Sequence, residues 1–374
     1  MQTTVRRVSF PDDRRILVIS DLHAHAEDFR AVLKKAGFSR RDILVIVGDL
    51  IEKGPQSLET LRLVMRLQRQ YTVYPLMGNV DYWRLNSLTS RDPAVHRALW
   101  RSSLDGVSRW GGSLLHDFCR EIGAAPDNDA EREALFPEIQ RRFAAELAWL
   151  GGLPTILDTQ KMIFVHGGIP HERLDELEGG DPYPLLKWDD FYHAGKSFQK
   201  HVIVGHWPAV LYSRNVPDYR PLFDRERRII FLDGACGVKS EGQLNLLAFA
   251  DWRAEEYTLF TQDSLPAFTA LEHQAPSPAR EAAYISWSDR WVTVLSREGE
   301  MSRVMHRGRE IAVPTVFLGQ EDGRDYCQDT TDYVLPAEPG DEMKVILRLR
   351  RGVLAKKDSI AGWYFGRYEM KTEV

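Results

Sequence analysis

The chain has 374 residues, 43% of them hydrophobic and 28% charged, with a formal net charge of −5. That length exceeds one average core and predicts two domains or three. The mild charge gives no electrostatic case for a nucleic-acid or membrane partner, and clusters such as Arg348-Leu349-Arg350-Arg351 read as solvated faces.

Three cysteines, Cys119, Cys236 and Cys327, lie far apart with no C-x-x-C spacing. This argues against a disulfide framework or a zinc–thiolate site and fits a reducing compartment. The N-terminus has no apolar signal-peptide core, and no apolar run reaches about 18 residues. A cytoplasmic protein is expected.

Ile16–Ile19 is a short apolar run ending in Ser20-Asp21. Phe29, Val32, Leu33 and Ala36 then recur at helical spacing, with Gly37 as a stop. Ile43–Val47 is a second β-branched run, ending at Gly48-Asp49. Strand, helix, strand predicts a parallel βαβ unit. The pattern repeats: Leu58, Leu61, Met65 and Leu67 lie on a helix with Ser57 as its expected N-cap, and YTVYPLMGN is a third strand. Asp21, Asp49 and Asn79 thus fall at the C-terminal ends of adjacent strands, where open α/β sheets bind ligands.

Residues 82–150 are helical in period and carry Trp83, Trp100, Trp110 and Trp149. They read as a helical cap insertion over the active edge or as ordinary covering helices. Strands return in KMIFVHGGIP, HVIVGHWP and RIIFLDGACG. After about residue 265 a Pro/Ala-containing linker leads into short alternating strands, and GVLAKKDSIAGWYFG resembles part of a small SH3-like barrel. The expected domains are 1–264, with the insertion at 82–150, and a β-rich domain over 265–374.

The strand-end residues, in order, are Asp21-x-His23, Gly48-Asp49, Gly78-Asn79, His166-Gly167-Gly168 and Gly205-His206. Any one of these is ordinary turn or capping chemistry. Together they supply carboxylate, amide oxygen and imidazole, a donor set suited to Mn, Fe, Zn, Co or Ni.

SDLHAH, GDLIEKGPQS, GNVD, VHGG and VGHW resemble the five blocks of the calcineurin-like metallophosphoesterases, in the family's order. Within it, GDLIEKGPQS and VHGG are similar to the phosphoprotein-phosphatase branch. VGHW and LDGACGVKSEGQLNLLAF are similar to its bacterial diadenosine-tetraphosphate hydrolases. The resemblance implies an α/β/β/α sandwich and two divalent metal ions, Mn²⁺ foremost. Asp21 and His23 would bind one ion, Asp49 would bridge, and Asn79, His166 and His206 would complete the other. It further implies a metal-activated water attacking phosphorus in line, with no phosphoenzyme intermediate.

Two positions depart from the family. Lys53 stands where Arg is usual, offering a point charge instead of a bidentate fork; it reads as a substrate contact or a plain exposed lysine. Val80 stands where the family usually has His, the general acid that Asp81 would orient. Losing such an acid costs about 10²–10⁴-fold for poor leaving groups and much less for stable ones. His25 or His171 are conceivable replacements, with a surface or supporting histidine as the plainer reading of each. Trp207 reads as packing or as a stacking surface, and Cys236 as a small core residue.

The expectation is a phosphoesterase or phosphoanhydrase favouring good leaving groups. Its substrate would be a phosphorylated small molecule or nucleotide, with a phosphoprotein as an alternative. The competing reading is a catalytically weakened relative serving as a binding module. No nucleic-acid or membrane partner is expected, and the oligomeric state is open.

Overall fold

The computed structural model describes residues 1–250 and 256–371. Residues 251–255 and 372–374, the latter inside the expected C-terminal domain, lie outside the described residues. The chain divides into two compact units, Met1–Pro208 with Pro221–Asp263, and Ala209–Arg220 with Ser264–Val374.

The first unit starts with β1 (Val5–Arg7), β2 (Ile16–Ile19), α1 (Ala26–Lys35), β3 (Ile43–Ile46), α2 (Ser57–Gln70) and β4 (Thr72–Pro75). Five helices follow: α3 (Asn79–Thr89), α4 (Pro93–Trp110), α5 (Leu114–Ile122), α6 (Asp129–Arg142) and α7 (Ala144–Gly151). Then come β5 (Ile156–Asp158), β6 (Met162–Val165), the short α8 (Tyr183–Leu186), β7 (His201–Val204), β8 (Leu222–Asp224), β9 (Ile229–Phe231), β10 (Leu244–Phe249) and β11 (Thr258–Gln262). They form two sheets, of order β11-β10-β2-β3-β4 and β1-β5-β6-β7-β9-β8.

β2, β3 and β4 run parallel, as two successive βαβ crossovers require. β2 and β3 are fully buried runs of Ile, Leu and Val, which suits strands covered on both faces. The period of two divides them. Leu17, Ile19, Leu44 and Ile46 meet Phe29, Leu61 and Val64 of the helical layer. Ile16, Val18, Ile43 and Val45 meet Phe164, Ile203 and Ile230 of the second sheet. On that sheet's outer face Phe191 and Tyr192 pack on Phe231. The fourth layer is thus short helical turns instead of long helices.

The helical segment joins the outer layer: Leu85, Leu99, Phe118, Phe136 and Leu147 belong to the same hydrophobic cluster as α1 and α2. A Cβ at Gly112, in the α4–α5 turn, would lie 3.0 Å from Gly54 O and Pro55 Cα, so the turn abuts the 52–55 loop.

In the second unit, β12 (Ala267–Ala270) pairs with both β20 (Glu342–Leu349) and β23 (Tyr368–Met370), all antiparallel. β20, β21 (Gly352–Lys357) and β22 (Ile360–Tyr364) form a meander. The sheet order is β22-β21-β20-β12-β23. Between β12 and β20 lie β13 (Tyr284–Ile285), β14 (Thr293–Glu298), β15 (Met301–His306), β16 (Arg309–Pro314), β17 (Leu318–Glu321), β18 (Arg324–Cys327) and β19 (Thr330–Thr331). They have their own core of Ile285, Val304, Ile311, Val313 and Cys327.

Residues 209–220 fall within the domain expected over 1–264, yet they belong to the second unit. Tyr219 N donates to Ser359 O at 2.9 Å and Ala361 N to Pro217 O at 3.1 Å, so this stretch pairs along β22. Nothing in its composition announces a strand partner some 140 residues downstream.

Among the described residues no helix is long and apolar enough to cross a membrane.

Candidate metal centre

Asp21 and Asp49 follow β2 and β3, and Asn79 begins α3 after β4. His166 and His206 follow the parallel strands β6 and β7 of the second sheet. Two separate sheets therefore deliver their C-terminal ends to one place. Close approach there requires glycine: a Cβ on Gly78 would sit 2.1 Å from Asp49 N and Oδ1, and one on Gly205 2.3 Å from Asp21 Oδ2. Asp21, His23, Asp49, Lys53 and His206 hold left-handed backbone, with φ of 52°, 41°, 51°, 58° and 65°. Such conformations persist where the surroundings over-determine them, commonly at functional sites.

Donor atoms of Asp21, His23 and Asp49 all lie within 4.8 Å of one another, and all three residues are buried. His23 Nε2 is 3.8 Å from Asp21 Oδ1 and 3.6 Å from Asp49 Oδ2. Asp49 Oδ1 accepts from Val80 N at 2.9 Å, while its Oδ2 lies 3.4 Å from His166 Nε2. Asn79 Oδ1 lies 2.9 Å from both His166 Nε2 and His206 Nδ1. The six residues Asp21, His23, Asp49, Asn79, His166 and His206 thus form one continuous set.

Burial opposes charge on His166, yet Asp49 and Asp21 outweigh it and raise its pKa to about 10. Its Nδ1 lies 2.8 Å from Val47 O, which fixes the ring. Burial pushes His206 down to about 4. Burial also raises Asp21 to about 6 and Asp81 to about 7, and pushes Asp233 well up, where the charge of Asp21 adds to the effect. Asp49 is driven low: burial would raise it, and His166, His23 and Lys53 prevail.

Four buried carboxylates in one neighbourhood are costly without a cation. Asp21 Oδ1 is buried with no hydrogen-bond partner. An orphaned carboxylate oxygen among oxygen and imidazole donors fits a hard-to-borderline divalent metal.

The remaining expected site residues divide. Lys53 is at the centre, its Nζ 3.5 Å from His23 Nε2. Asp81 is fully buried and accepts from the N–H groups of Leu50 at 3.0 Å, Gly78 at 3.0 Å and Ile51 at 3.3 Å. Its oxygens fasten the loop after Asp49 to the start of α3, so it is a positioning residue. His25 Nδ1 lies 2.6 Å from His23 O, which commits that ring to bracing its own loop. His171 Nε2 pairs with Glu176 at 3.5 Å. Trp207 has its ring 6.5 Å from that of His206, and Cys236 is a buried member of the helix-side core.

Sequence reasoning missed three features. Asp189 Oδ1 is 2.7 Å from His206 Nε2 and 2.6 Å from Lys187 Nζ, on an irregular segment where no pattern marks it. Asp233, at the end of the RIIFLD strand, accepts from Ala235 N at 2.7 Å while its Oδ2 is buried without a partner. Being another polar strand-end residue, it carried the same signal as Asp21 and Asp49. Third, Ser57 is the first residue of α2 and not its N-cap; its Oγ accepts from Glu52 N at 3.0 Å, securing the loop that carries Lys53.

Among curated proteins, the symmetrical bis(5′-nucleosyl)-tetraphosphatase of Photorhabdus laumondii is 25% identical over 288 residues, covering 67% of this chain and 97% of that protein. The protein of that name from Buchnera aphidicola of Schizaphis graminum is 37% identical over 67 residues, 18% of this chain. The chain spans about a quarter (24%) of that relative's length. Among solved structures, a protein serine/threonine phosphatase from Saccharomyces cerevisiae aligns with a TM-score of 0.41 and 14% identity, over 74% of this chain and 87% of that one. The profile of the calcineurin-like phosphoesterases matches residues 14–233, more than half of the chain. With that match spanning all six residues of the donor set, the chain belongs to the calcineurin-like phosphoesterase family.

Proposed function

We propose that this chain is a metal-dependent phosphoesterase whose preferred substrates have stable leaving groups, above all nucleotides joined through phosphoanhydride bonds. The observation that carries this reading is the convergence of Asp21, His23 and Asp49 within 4.8 Å, joined by Asn79, His166 and His206. These six residues would hold two divalent ions, which we assign as Mn²⁺, with Asp49 shared. Ions bound there supply Lewis acidity toward the phosphoryl oxygens and the attacking water.

The chain's own groups do the rest. Asp189 holds Nε2 of His206 and Val47 O holds Nδ1 of His166, so each ring is fixed through one nitrogen and turns the other, which faces Asn79 Oδ1, toward the centre as the one that would bind metal. Lys53 brings a positive charge to the side of His23, where an anionic substrate would gain from it. Val80 supplies no proton, and neither His25 nor Asp81 is placed to replace one. A leaving group stable as an anion needs none, which favours phosphate and nucleotide leaving groups over alkoxides. The names of the relatives point the same way.

The test is Mn²⁺-dependent turnover of p-nitrophenyl phosphate, bis-p-nitrophenyl phosphate and diadenosine tetraphosphate by the full chain, with Asp49→Asn as control. Metal-dependent turnover, highest on the tetraphosphate and reduced by about 10²–10³-fold or more in the control, is the expected result. Undiminished turnover by Asp49→Asn would overturn the site assignment.

A further inference from the structure

The first unit carries a cavity of about 390 Å³ at the opposite end of the second sheet's strands from the metal centre. It is lined by Met162, His201 and Ile229, the first residues of β6, β7 and β9, whereas His166 and His206 follow the opposite ends of β6 and β7. Each of those two strands has four residues, so roughly 13 Å of backbone lies between the two places.

Its lining has three chemical parts. Met162, Ile230 and Phe249 make an apolar floor. Phe223 and Tyr257 form one wall, their rings stacked at 4.3 Å and 8° from parallel. Tyr257 is 37% exposed, so part of this stack is accessible to solvent. The rim contains Lys161, Lys200, Arg225 and Arg228 against a single carboxylate, Asp224. Asp224 is already held by Arg227, whose Nε lies 2.5 Å from its Oδ2, and Lys200 by Asp158 at 2.5 Å. Arg225 and Arg228 therefore still bring positive charge to the lining, in a chain whose net charge is −5.

An apolar floor, a partly exposed aromatic wall and a cationic rim are complementary to a planar aromatic body bearing an anionic group. The volume is in the range of small-molecule sites, about 300–1,000 Å³. A base stacked on Tyr257 would gain dispersion and quadrupole contacts, and its phosphate would meet the rim charges. We infer that this cavity is a second ligand site, taking a nucleoside monophosphate or a ligand of that chemistry, independent of the metal centre. The inference does not rest on the hydrolytic activity proposed above.

Calorimetric titration of adenosine monophosphate into the full chain carrying Asp49→Asn, with a chelator present, isolates this cavity from the metal centre. Inorganic phosphate and adenosine are titrated as separate probes, and Tyr257→Ala and Arg225→Ala are each made in the same background. Both side chains are exposed, and matching thermal melts confirm that the variants fold. Saturable binding of the monophosphate, at least about fivefold weaker in Tyr257→Ala and weaker in Arg225→Ala, is the expected result. Phosphate alone and adenosine alone should each bind more weakly than the monophosphate. Absence of saturable binding, binding indifferent to both substitutions, or phosphate binding as tightly as the monophosphate would each overturn the inference.

Discussion

The backbone N–H of Val80 donates to Asp49 Oδ1 at 2.9 Å. Position 80 thus serves the centre through its main chain, which any residue but proline supplies, and its side chain takes no part in that contact. Val80→His should preserve that hydrogen bond and add a proton donor. Turnover of an alkyl phosphate monoester should rise by up to about 100-fold, while that of p-nitrophenyl phosphate changes by less than about threefold. Steady-state kinetics on the two substrates decides it, and an equal response in both would refute the account.

Glu52 and Arg84 form an ion pair of 2.7 Å with side chains only 7% and 3% exposed. The other oxygen of Glu52 accepts from Leu114 N at 2.8 Å, so one carboxylate ties the Lys53 loop to α3 and α5. Arg84→Ala leaves that carboxylate buried and unmatched, and should cost about 3–5 kcal/mol in denaturant unfolding. Combining it with Glu52→Gln should recover part of the loss, because the stranded charge is then gone.

Arg15 and Asp42 brace the starts of β2 and β3 at the end away from the site, with Nε–Oδ1 and Nη2–Oδ2 both 3.0 Å. Burial alone would raise the Asp42 pKa; the Arg15 fork and Ser39 N lower it on balance. The folded state therefore holds this proton less tightly than the unfolded chain does. The stability gained is present above the ordinary aspartate value of about 3.9 and is lost as pH falls through the lower folded value. Asp42→Asn should cost about 1–3 kcal/mol at neutral pH, with the gap to the parent closing below about pH 4. Denaturant titrations at neutral and acidic pH measure it.

The donor set was legible because its six members follow the ends of five apolar strands, and a strand end is a local feature. Ile16–Ile19 and Ile43–Ile46 show the period and their polar stops within a few residues. Partnerships formed through the fold were not legible. The family resemblance gave Asp81 the task of orienting a histidine at position 80; with Val80 there, its carboxyl faces the amides of residues 50, 51 and 78. Asp189 reaches His206 from an irregular segment, and residues 209–220 pair with β22 across most of the C-terminal half. Periodicity carries no information about such contacts. The helices after Asn79 were read correctly as helices, but which surface they cover is decided by the cluster around Leu99, Phe118 and Phe136.

The left-handed backbone at Asp21, His23, Asp49, Lys53 and His206 bears on how this protein can be engineered. A non-glycine residue pays roughly 1–2 kcal/mol for that conformation. Glycine at any of the five would relax the chain, so selection for thermal resistance alone would favour the very replacements that delete a donor or the neighbouring charge. Libraries aimed at a hardier variant should hold these five codons constant and seek gains elsewhere, since here robustness and chemistry draw on the same backbone angles.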